Sequence, residues 1–174
     1  MRSSPVVLVL AAGRGERFRA AGGAGHKLSA LLGGMTVLER TLAAVRASGL
    51  PSHVVDAPTE GMGWSIAAGV SATIGAGGWL ILPGDMPLVS PATIRRVASA
   101  LAKVPVVAPV HGGRRGHPVG FGPPCRGHLL ALSGDLGARR VIQAFGRLDL
   151  PVEDPGCVLD IDTPFRPGPC KEDP

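Results

Sequence analysis

The stretch Val6-Val-Leu-Val-Leu10 is apolar at every position and opens directly into Ala11-Ala-Gly-Arg-Gly15. A strand with no polar alternation must be buried on both faces, and such strands belong to parallel sheets covered by helices on either side. The glycines that follow permit a tight turn in which backbone N–H groups can approach a ligand. This segment alone predicts an α/β domain with a loop-borne site at the carboxyl end of a central strand.

The rest of the chain alternates in the same sense. Residues 36–48 place Val37, Leu38, Leu42 and Val45 on one helical face, with Thr36 and Glu39 at capping-box spacing and Gly49 just beyond. Residues 53–56 read as a short strand, 64–74 as a helix of small residues, and 79–82 as a second buried strand that ends on Pro83-Gly84-Asp85. Ser90 and Pro91 form an N-cap and first-turn pair for a helix that carries Ile94, Val97, Ala98 and Leu101 up to Lys103. Strands are expected at 105–109 and 118–121, a helix over 136–148 from Val141, Ile142, Phe145 and Leu148, and a last strand at 158–161. No repeat appears, and the length of 174 residues suits one domain. We expect that domain to span 1–164, with 165–174 as a Pro-rich tail.

Composition narrows the function. Hydrophobic residues make up 45%, charged residues 18%, and mean hydropathy is +0.26, which excludes disorder despite 26 Gly and 17 Pro. The longest strongly apolar run, residues 6–12, falls far short of the ~18 residues that span a bilayer. No leader-like segment precedes it, so a cytoplasmic protein without membrane contact is expected. Cys125, Cys157 and Cys170 are odd in number and widely spaced, which predicts free thiols. The net charge of +5 and the pI near 9.9 point to anionic partners. Aromatics are only 3% and Tyr is absent, so nucleic acid is disfavoured and small polyanions such as nucleotides are favoured. Arginines beside glycines, in Gly13-Arg14-Gly15 and Gly113-Arg114-Arg115-Gly116, suit phosphate, although solvated loop charge explains each cluster equally well.

Several residues could carry chemistry. The first glycine loop lacks the endings of a Walker A or G-x-G-x-x-G motif, yet it is followed by Arg17 and Lys27, which could wrap a triphosphate. Asp85, framed by Gly84 and by Pro83 and Pro87 at the end of an apolar strand, suits a Mg²⁺ ligand; a turn-forming aspartate is the alternative. Asp160 and Asp162 alternate along a strand-like segment, so their carboxylates share a face, and one of them could complete a metal site with Asp85. His117 enters a strand in Arg115-Gly-His-Pro-Val119 and could bond a substrate or serve the fold. Asp135, in Gly134-Asp-Leu-Gly-Ala-Arg139, is explained by helix capping alone. No Ser or Cys nucleophile motif and no zinc spacing occurs.

Taken in order, these motifs resemble the MobA-like nucleotidyltransferases, in particular the molybdenum cofactor cytidylyltransferase branch. The matching text is Leu10-Ala-Ala-Gly-Arg-Gly15 with Arg17, Phe18 and Lys27, then Gly61-Met-Gly-Trp-Ser65 with Gly69, then Pro83-Gly-Asp-Met-Pro-Leu88. Arg115-Gly-His-Pro-Val119, Gly134-Asp-Leu-Gly-Ala-Arg139 and Asp160-Ile-Asp-Thr-Pro164 continue it over nearly the whole chain.

The resemblance implies a single-domain, Rossmann-like, three-layer α/β/α fold with a mainly parallel sheet. It also implies a Mg²⁺-dependent transfer of a nucleoside monophosphate from an NTP to the phosphate of molybdopterin, with release of pyrophosphate. On this reading Leu10, Ala11, Ala12, Gly13, Arg14, Gly15, Gly61, Ser65 and Gly84 bind the nucleotide. Arg17, Lys27 and Asp85 act in catalysis, and Asp85 with Asp162 holds Mg²⁺, Asp160 being the less favoured ligand. His117, Pro118, Asp135, Gly137 and Arg139 line the acceptor side. The Leu-Ala-Ala-Gly form favours CTP, and a molybdenum hydroxylase is the possible downstream partner. Two other readings stay open: a nucleotidyltransferase for another phosphorylated acceptor such as a sugar phosphate, and a non-catalytic carrier of the cofactor. Three departures from the family pattern also bear on the fold. Residues 20–25 stretch the spacing from Arg17 to Lys27, the chain between Gly49 and Gly61 has room for only one short strand, and the helix expected after Pro164 is replaced by Phe165-Arg166-Pro167. A sheet smaller by one strand-helix unit is therefore expected.

Overall fold

The computed structural model describes residues 3–13, 26–58 and 60–161. Arg14, Gly15, Arg17, Phe18, Asp162, Cys170 and the Pro-rich tail lie outside the described residues.

The chain runs β1 (Val6–Leu10), a 3-10 turn (Lys27–Ser29), β2 (Leu31–Leu32), β3 (Met35–Thr36), α1 (Val37–Ser48), β4 (Ser52–Val55), α2 (Met62–Ala72), β5 (Trp79–Pro83) and α3 (Pro91–Ala100). It continues through β6 (Val106–His111), β7 (Arg114–Arg115), β8 (Val119–Phe121), α4 (Arg126–Leu130), α5 (Arg139–Phe145), β9 (Leu148–Pro151) and a 3-10 turn at Pro155–Val158. The seven-stranded main sheet has the order β4-β1-β5-β8-β6-β7, with β9 also paired to β6. Strand β1 is parallel to both β4 and β5, and β6 is parallel to β9. Strand β8 is antiparallel to β5 and β6, and β7 is antiparallel to β6. The sheet is mostly parallel, with an antiparallel strand at its centre.

The apolar runs fill two cores. Val6 and Leu8 of β1, with Trp79 and Ile81 of β5, pack beneath Ile66 and Val70 of α2, Leu129 of α4 and Val141 of α5. Val7, Val9, Leu80 and Leu82 face the other way, onto Val45 of α1 and Ile94 and Val97 of α3. This period-two split is why both strands are apolar throughout, and it yields the expected three layers. Helix α2 lies unusually close to the sheet, because a Cβ at Gly69 would approach Leu8 to 3.0 Å and Val55 to 2.8 Å.

Local signals account for the element ends. Thr36 and Glu39 form the full capping box of α1, and Gly49 closes it with φ of 75°. Ser90 caps α3 with Pro91 behind it, and that helix ends at Ala100, short of Lys103. Strand β4, the only regular element between Gly49 and Gly61 among the described residues, forms one edge of the sheet.

Two expectations fail here. The helix expected over 136–148 is confined to Arg139–Phe145, bounded by Gly137 (φ 54°) and Gly146 (φ 70°), and Leu148 instead starts β9. The strand expected at 158–161 does not form. The chain there leaves a 3-10 turn and runs extended at Leu159 without a ladder partner. Among the described residues no helix is long and apolar enough to cross a membrane.

Candidate functional site

Parallel strands β1 and β5 end side by side, Leu10 opposite Pro83, so the loops that follow them start from one place. Gly84 is clamped there. Its N–H donates to the Leu10 carbonyl at 2.9 Å, and its own carbonyl accepts from Thr41 Oγ1 at 2.9 Å. A Cβ on Gly84 would come within 3.0 Å of the Leu10 oxygen and 3.1 Å of a Leu38 methyl. Asp85 follows at once and is buried, at 7% exposure. Its Oδ2 accepts from Lys27 Nζ, while its buried Oδ1 has no hydrogen-bond partner. Lys27 arrives through the 3-10 turn that His26 caps and that Leu28 anchors by burial. The Ile161 N–H donates to the Asp85 carbonyl at 3.0 Å, which brings the neighbouring Asp160 to the same corner.

His117 reaches this corner because β8 is antiparallel. Val119 pairs with Ile81, so β8 begins where β5 is about to end, and the residues before it lie among the carboxyl-end loops. The His117 N–H donates to the Cys157 carbonyl at 2.8 Å, and its buried Nδ1 has no hydrogen-bond partner. Burial pushes the imidazole pKa down, against the Ile81 carbonyl and the negative charges of Asp85 and Asp160, which pull it up. Asp85 Oδ1 and His117 Nδ1 are the two buried side-chain atoms left unsatisfied among the described residues. Two such atoms at one corner are what a ligand-binding site leaves behind when considered without its ligand.

A second group gathers at the N-terminus of α2, where the chain returns from β4. The Gly63 N–H donates to the Gly134 carbonyl at 2.8 Å. A Cβ at Gly61 would meet that carbonyl at 2.5 Å and Asp135 Oδ1 at 2.6 Å, and one at Gly137 would meet Met62 Sδ at 2.9 Å. Ser65 is buried, with its N–H on the Gly61 carbonyl at 3.2 Å. Gly61, Gly63 and Gly137 therefore let helix and loop touch, while Gly134 serves the turn through its φ of 66°. Asp135 and Arg139 are exposed, and Asp135 is not the N-cap of α5, which is Ala138. The start of an 11-residue helix also favours anions.

In the first loop, the Ala11 N–H donates to the Val55 carbonyl at 2.8 Å, and Gly13 is exposed with its carbonyl against His26 Nε2. Arg14, Gly15, Arg17 and Asp162 fall outside the described residues. The arginines of residues 113–116 are engaged within the chain. Arg114 donates to the Val158 carbonyl at 3.3 Å, and Arg115 pairs with Asp149, whose carboxyl is held below its usual range chiefly by Arg147.

Two residues that support the site were missed in the sequence. His26 caps the turn that carries Lys27 and also contacts the Gly13 carbonyl. Asp154 is buried, and its two oxygens accept from the N–H groups of Gly156 and Ser90 at 3.0 and 2.9 Å. It fixes the turn whose Cys157 carbonyl holds His117; Asp154-Pro155-Gly156 is the turn signal that could have revealed it.

Among the described residues no cluster of three or more His, Cys, Asp or Glu could hold a metal ion. Asp85, with its unpartnered Oδ1, still fits a divalent cation that takes one or two carboxylates and completes its shell with water and phosphate oxygens.

The fold has relatives among solved structures. The chain is similar to Rv0371c from Mycobacterium tuberculosis, with 26% identity, 92% of this chain and 94% of that chain covered, and a TM-score of 0.78. A manganese complex of that protein aligns with 23% identity over 87% and 89% of the two chains, at a TM-score of 0.70. A nucleotidyl transferase from Methanothermobacter thermautotrophicus shares the fold at 24% identity, 92% coverage of each chain and a TM-score of 0.75. The molybdopterin-guanine dinucleotide biosynthesis protein A of Archaeoglobus fulgidus shares it at 18% identity, 85% and 84% coverage and a TM-score of 0.60. No curated protein matches the sequence. The MobA-like NTP transferase domain matches residues 47–150, more than half the chain and the whole stretch from the end of α1 through β5, β8 and α5. With the sheet order, the glycine-clamped Asp85 and the helix-loop contact at Gly63 in hand, that match makes the chain a member of the MobA-like NTP transferase family.

Proposed function

We propose that the chain transfers a nucleoside monophosphate, CMP by preference, from an NTP to the phosphate of molybdopterin, releasing pyrophosphate. The observation that carries this reading is buried Asp85, with Lys27 on one carboxylate oxygen and nothing on the other, at the carboxyl end of β5. The backbone after β1, from Leu10 through Ala11 and Ala12 to Gly15, together with Gly61, Ser65 and Gly84, forms the nucleotide side in this reading. Asp85 and Asp162 would hold a divalent cation, Mg²⁺ in this account, which when bound offsets negative charge on the α-phosphate and the leaving pyrophosphate. A fold neighbour is a manganese complex, which supports a divalent cation in this reading.

The chain's own residues supply the rest. Lys27 and Arg17 put positive charge beside the triphosphate, and the exclusion of water around buried Asp85 makes this charge count for more. The attacking group is the acceptor's phosphate oxygen, already anionic, so no general base is needed. This matches the lack of a nucleophile motif. His117 and Pro118 on one side, and Asp135, Gly137 and Arg139 on the other, orient the acceptor, with the Arg139 guanidinium suited to phosphate. The Leu10-Ala-Ala-Gly13 form supports CTP, and the motifs at 115–119 and 134–139 support molybdopterin. A fold neighbour named for molybdopterin-guanine dinucleotide biosynthesis is consistent with that acceptor. The product would pass to a molybdenum hydroxylase.

The test is product analysis by mass spectrometry, with CTP, GTP, ATP or UTP, Mg²⁺, and molybdenum cofactor or sugar phosphates as acceptors. A molybdopterin cytosine dinucleotide formed only with CTP and the cofactor is expected. Transfer only to sugar phosphates overturns the acceptor, and cofactor binding without transfer from any nucleotide leaves a carrier instead.

A further inference from the structure

The residue before Lys27 does more than cap a turn. His26 Nδ1 accepts the Leu28 N–H at 3.3 Å, which caps the 3-10 turn Lys27–Ser29, while Nε2 meets the carbonyl of Gly13, thirteen positions earlier. Since Nδ1 accepts, the proton sits on Nε2 and is donated to the Gly13 carbonyl, so the ring is neutral and in one tautomer. We propose that His26 is a positioning residue for nucleotide binding, clasping the end of the glycine loop at Gly13 to the turn that carries Lys27.

Three features support the clasp. A plain N-cap needs only a short acceptor such as Ser, Asn or Asp, so the imidazole's longer reach has no purpose in the cap itself. Gly13 lies in the loop after β1 and Lys27 sits on Asp85 just beyond β5, so the clasp ties together the two loops that start from one place and are proposed to meet one ligand. The clasp is also rigidly based. Leu28 is buried, a Cβ on Gly84 would meet its methyl at 3.5 Å, and Lys27 is held on Asp85. Gly13, His26, Lys27 and Asp85 thus form a chain of direct contacts from the glycine loop to the acid.

This role rests on the proposed nucleotide transfer, and the experiment separates the two. Wild-type protein, His26→Asn and His26→Ala are compared for thermal stability, for KM and kcat with CTP, and by nitrogen-15 NMR of the histidine rings. Asn keeps the acceptor that caps Leu28, but its shorter amide ends short of Gly13. His26→Asn should unfold near the wild-type temperature yet raise KM for CTP about five- to tenfold, the value of one hydrogen bond, with kcat changed less. His26→Ala should show the same rise in KM and lower stability. The wild-type ring should show the Nε2–H tautomer. Wild-type KM in His26→Asn, or an Nδ1–H ring, overturns the clasp while leaving nucleotide transfer intact. A wild-type protein with the Nε2–H ring that neither binds nor turns over any nucleotide overturns the proposed function, and the positioning role with it.

Discussion

Removing the Lys27 ammonium leaves the Asp85 carboxylate buried without its cation, and the size of that effect can be worked from the structure. Breaking a fully buried pair from one side costs about 3–5 kcal/mol. The Lys27 and Asp85 side chains are 19% and 10% exposed, so solvent relieves part of the cost, and about 2–3 kcal/mol is expected for Lys27→Ala. For a chain of this size each kcal/mol moves Tm by about 2–4 °C, which gives a fall of roughly 4–12 °C. The double variant Lys27→Ala with Asp85→Asn removes the stranded charge and should recover part of the loss. If Asp85 is a cation ligand, Mn²⁺ should take the place of the ammonium. At ten times its Kd it should return about 1.4 kcal/mol to Lys27→Ala, less to the wild type, where Lys27 competes, and little to the double variant. Thermal unfolding monitored by circular dichroism, with and without Mn²⁺, reads all three. A Lys27→Ala protein as stable as wild type, with no greater Mn²⁺ response than the double variant, would refute the reasoning.

Further outcomes follow from the same geometry. Because burial lowers the His117 pKa from its ordinary 6.5, the unfolded chain takes up a proton that the folded one refuses. Stability is therefore full above about pH 6.5 and falls as pH drops below it, at up to ~1.4 kcal/mol per pH unit; denaturant titrations of wild type and His117→Gln should show a flatter acid limb in the variant. Gly63→Ala drives a methyl to 2.6 Å from the Ser133 carbonyl oxygen. Overpacking of about 1–3 kcal/mol should exceed the ~1 kcal/mol gained in helix propensity, so Tm falls, whereas a rise would mean that loop and helix do not touch. Burial pushes the Cys125 and Cys157 thiols up to about 11, so in a Cys170→Ser background both should resist iodoacetamide at pH 8 until denaturant is added, and rapid alkylation of the folded protein would contradict their burial.

The parts of the fold legible in the sequence are those where local and global preferences agree. Val6–Leu10 and Trp79–Pro83 read as two-faced strands because Val6 and Leu8 serve one core while Val7 and Val9 serve the other. Thr36 with Glu39 and Ser90 with Pro91 marked helix starts through capping chemistry that depends on no distant contact. The failures lie where a long-range partner decides. Leu148 continues the helical spacing from Phe145, yet Gly146 stops the helix and β6 recruits Leu148–Pro151 as a strand. The antiparallel insertion of β8 beside β5 cannot be read from Val119–Phe121 alone, although it is what carries His117 to Asp85's corner. At the candidate site, the placement of Asp85 just beyond β5 was legible because a strand, a glycine and two prolines framed it. His26 and Asp154 were not, since each acts through a backbone group remote in sequence.

In the proposed function, Asp85 anchors divalent-cation-dependent nucleotidyl transfer. This role is tested most directly by pyrophosphate release from CTP, with molybdenum cofactor present, for wild type and Asp85→Asn across a Mg²⁺ titration. The account predicts release that requires both Mg²⁺ and the cofactor in the wild type, and a loss of about a hundredfold or more in Asp85→Asn while circular dichroism still reports a folded protein. Release by Asp85→Asn at the wild-type rate, or release by the wild type that persists in excess EDTA, would contradict it.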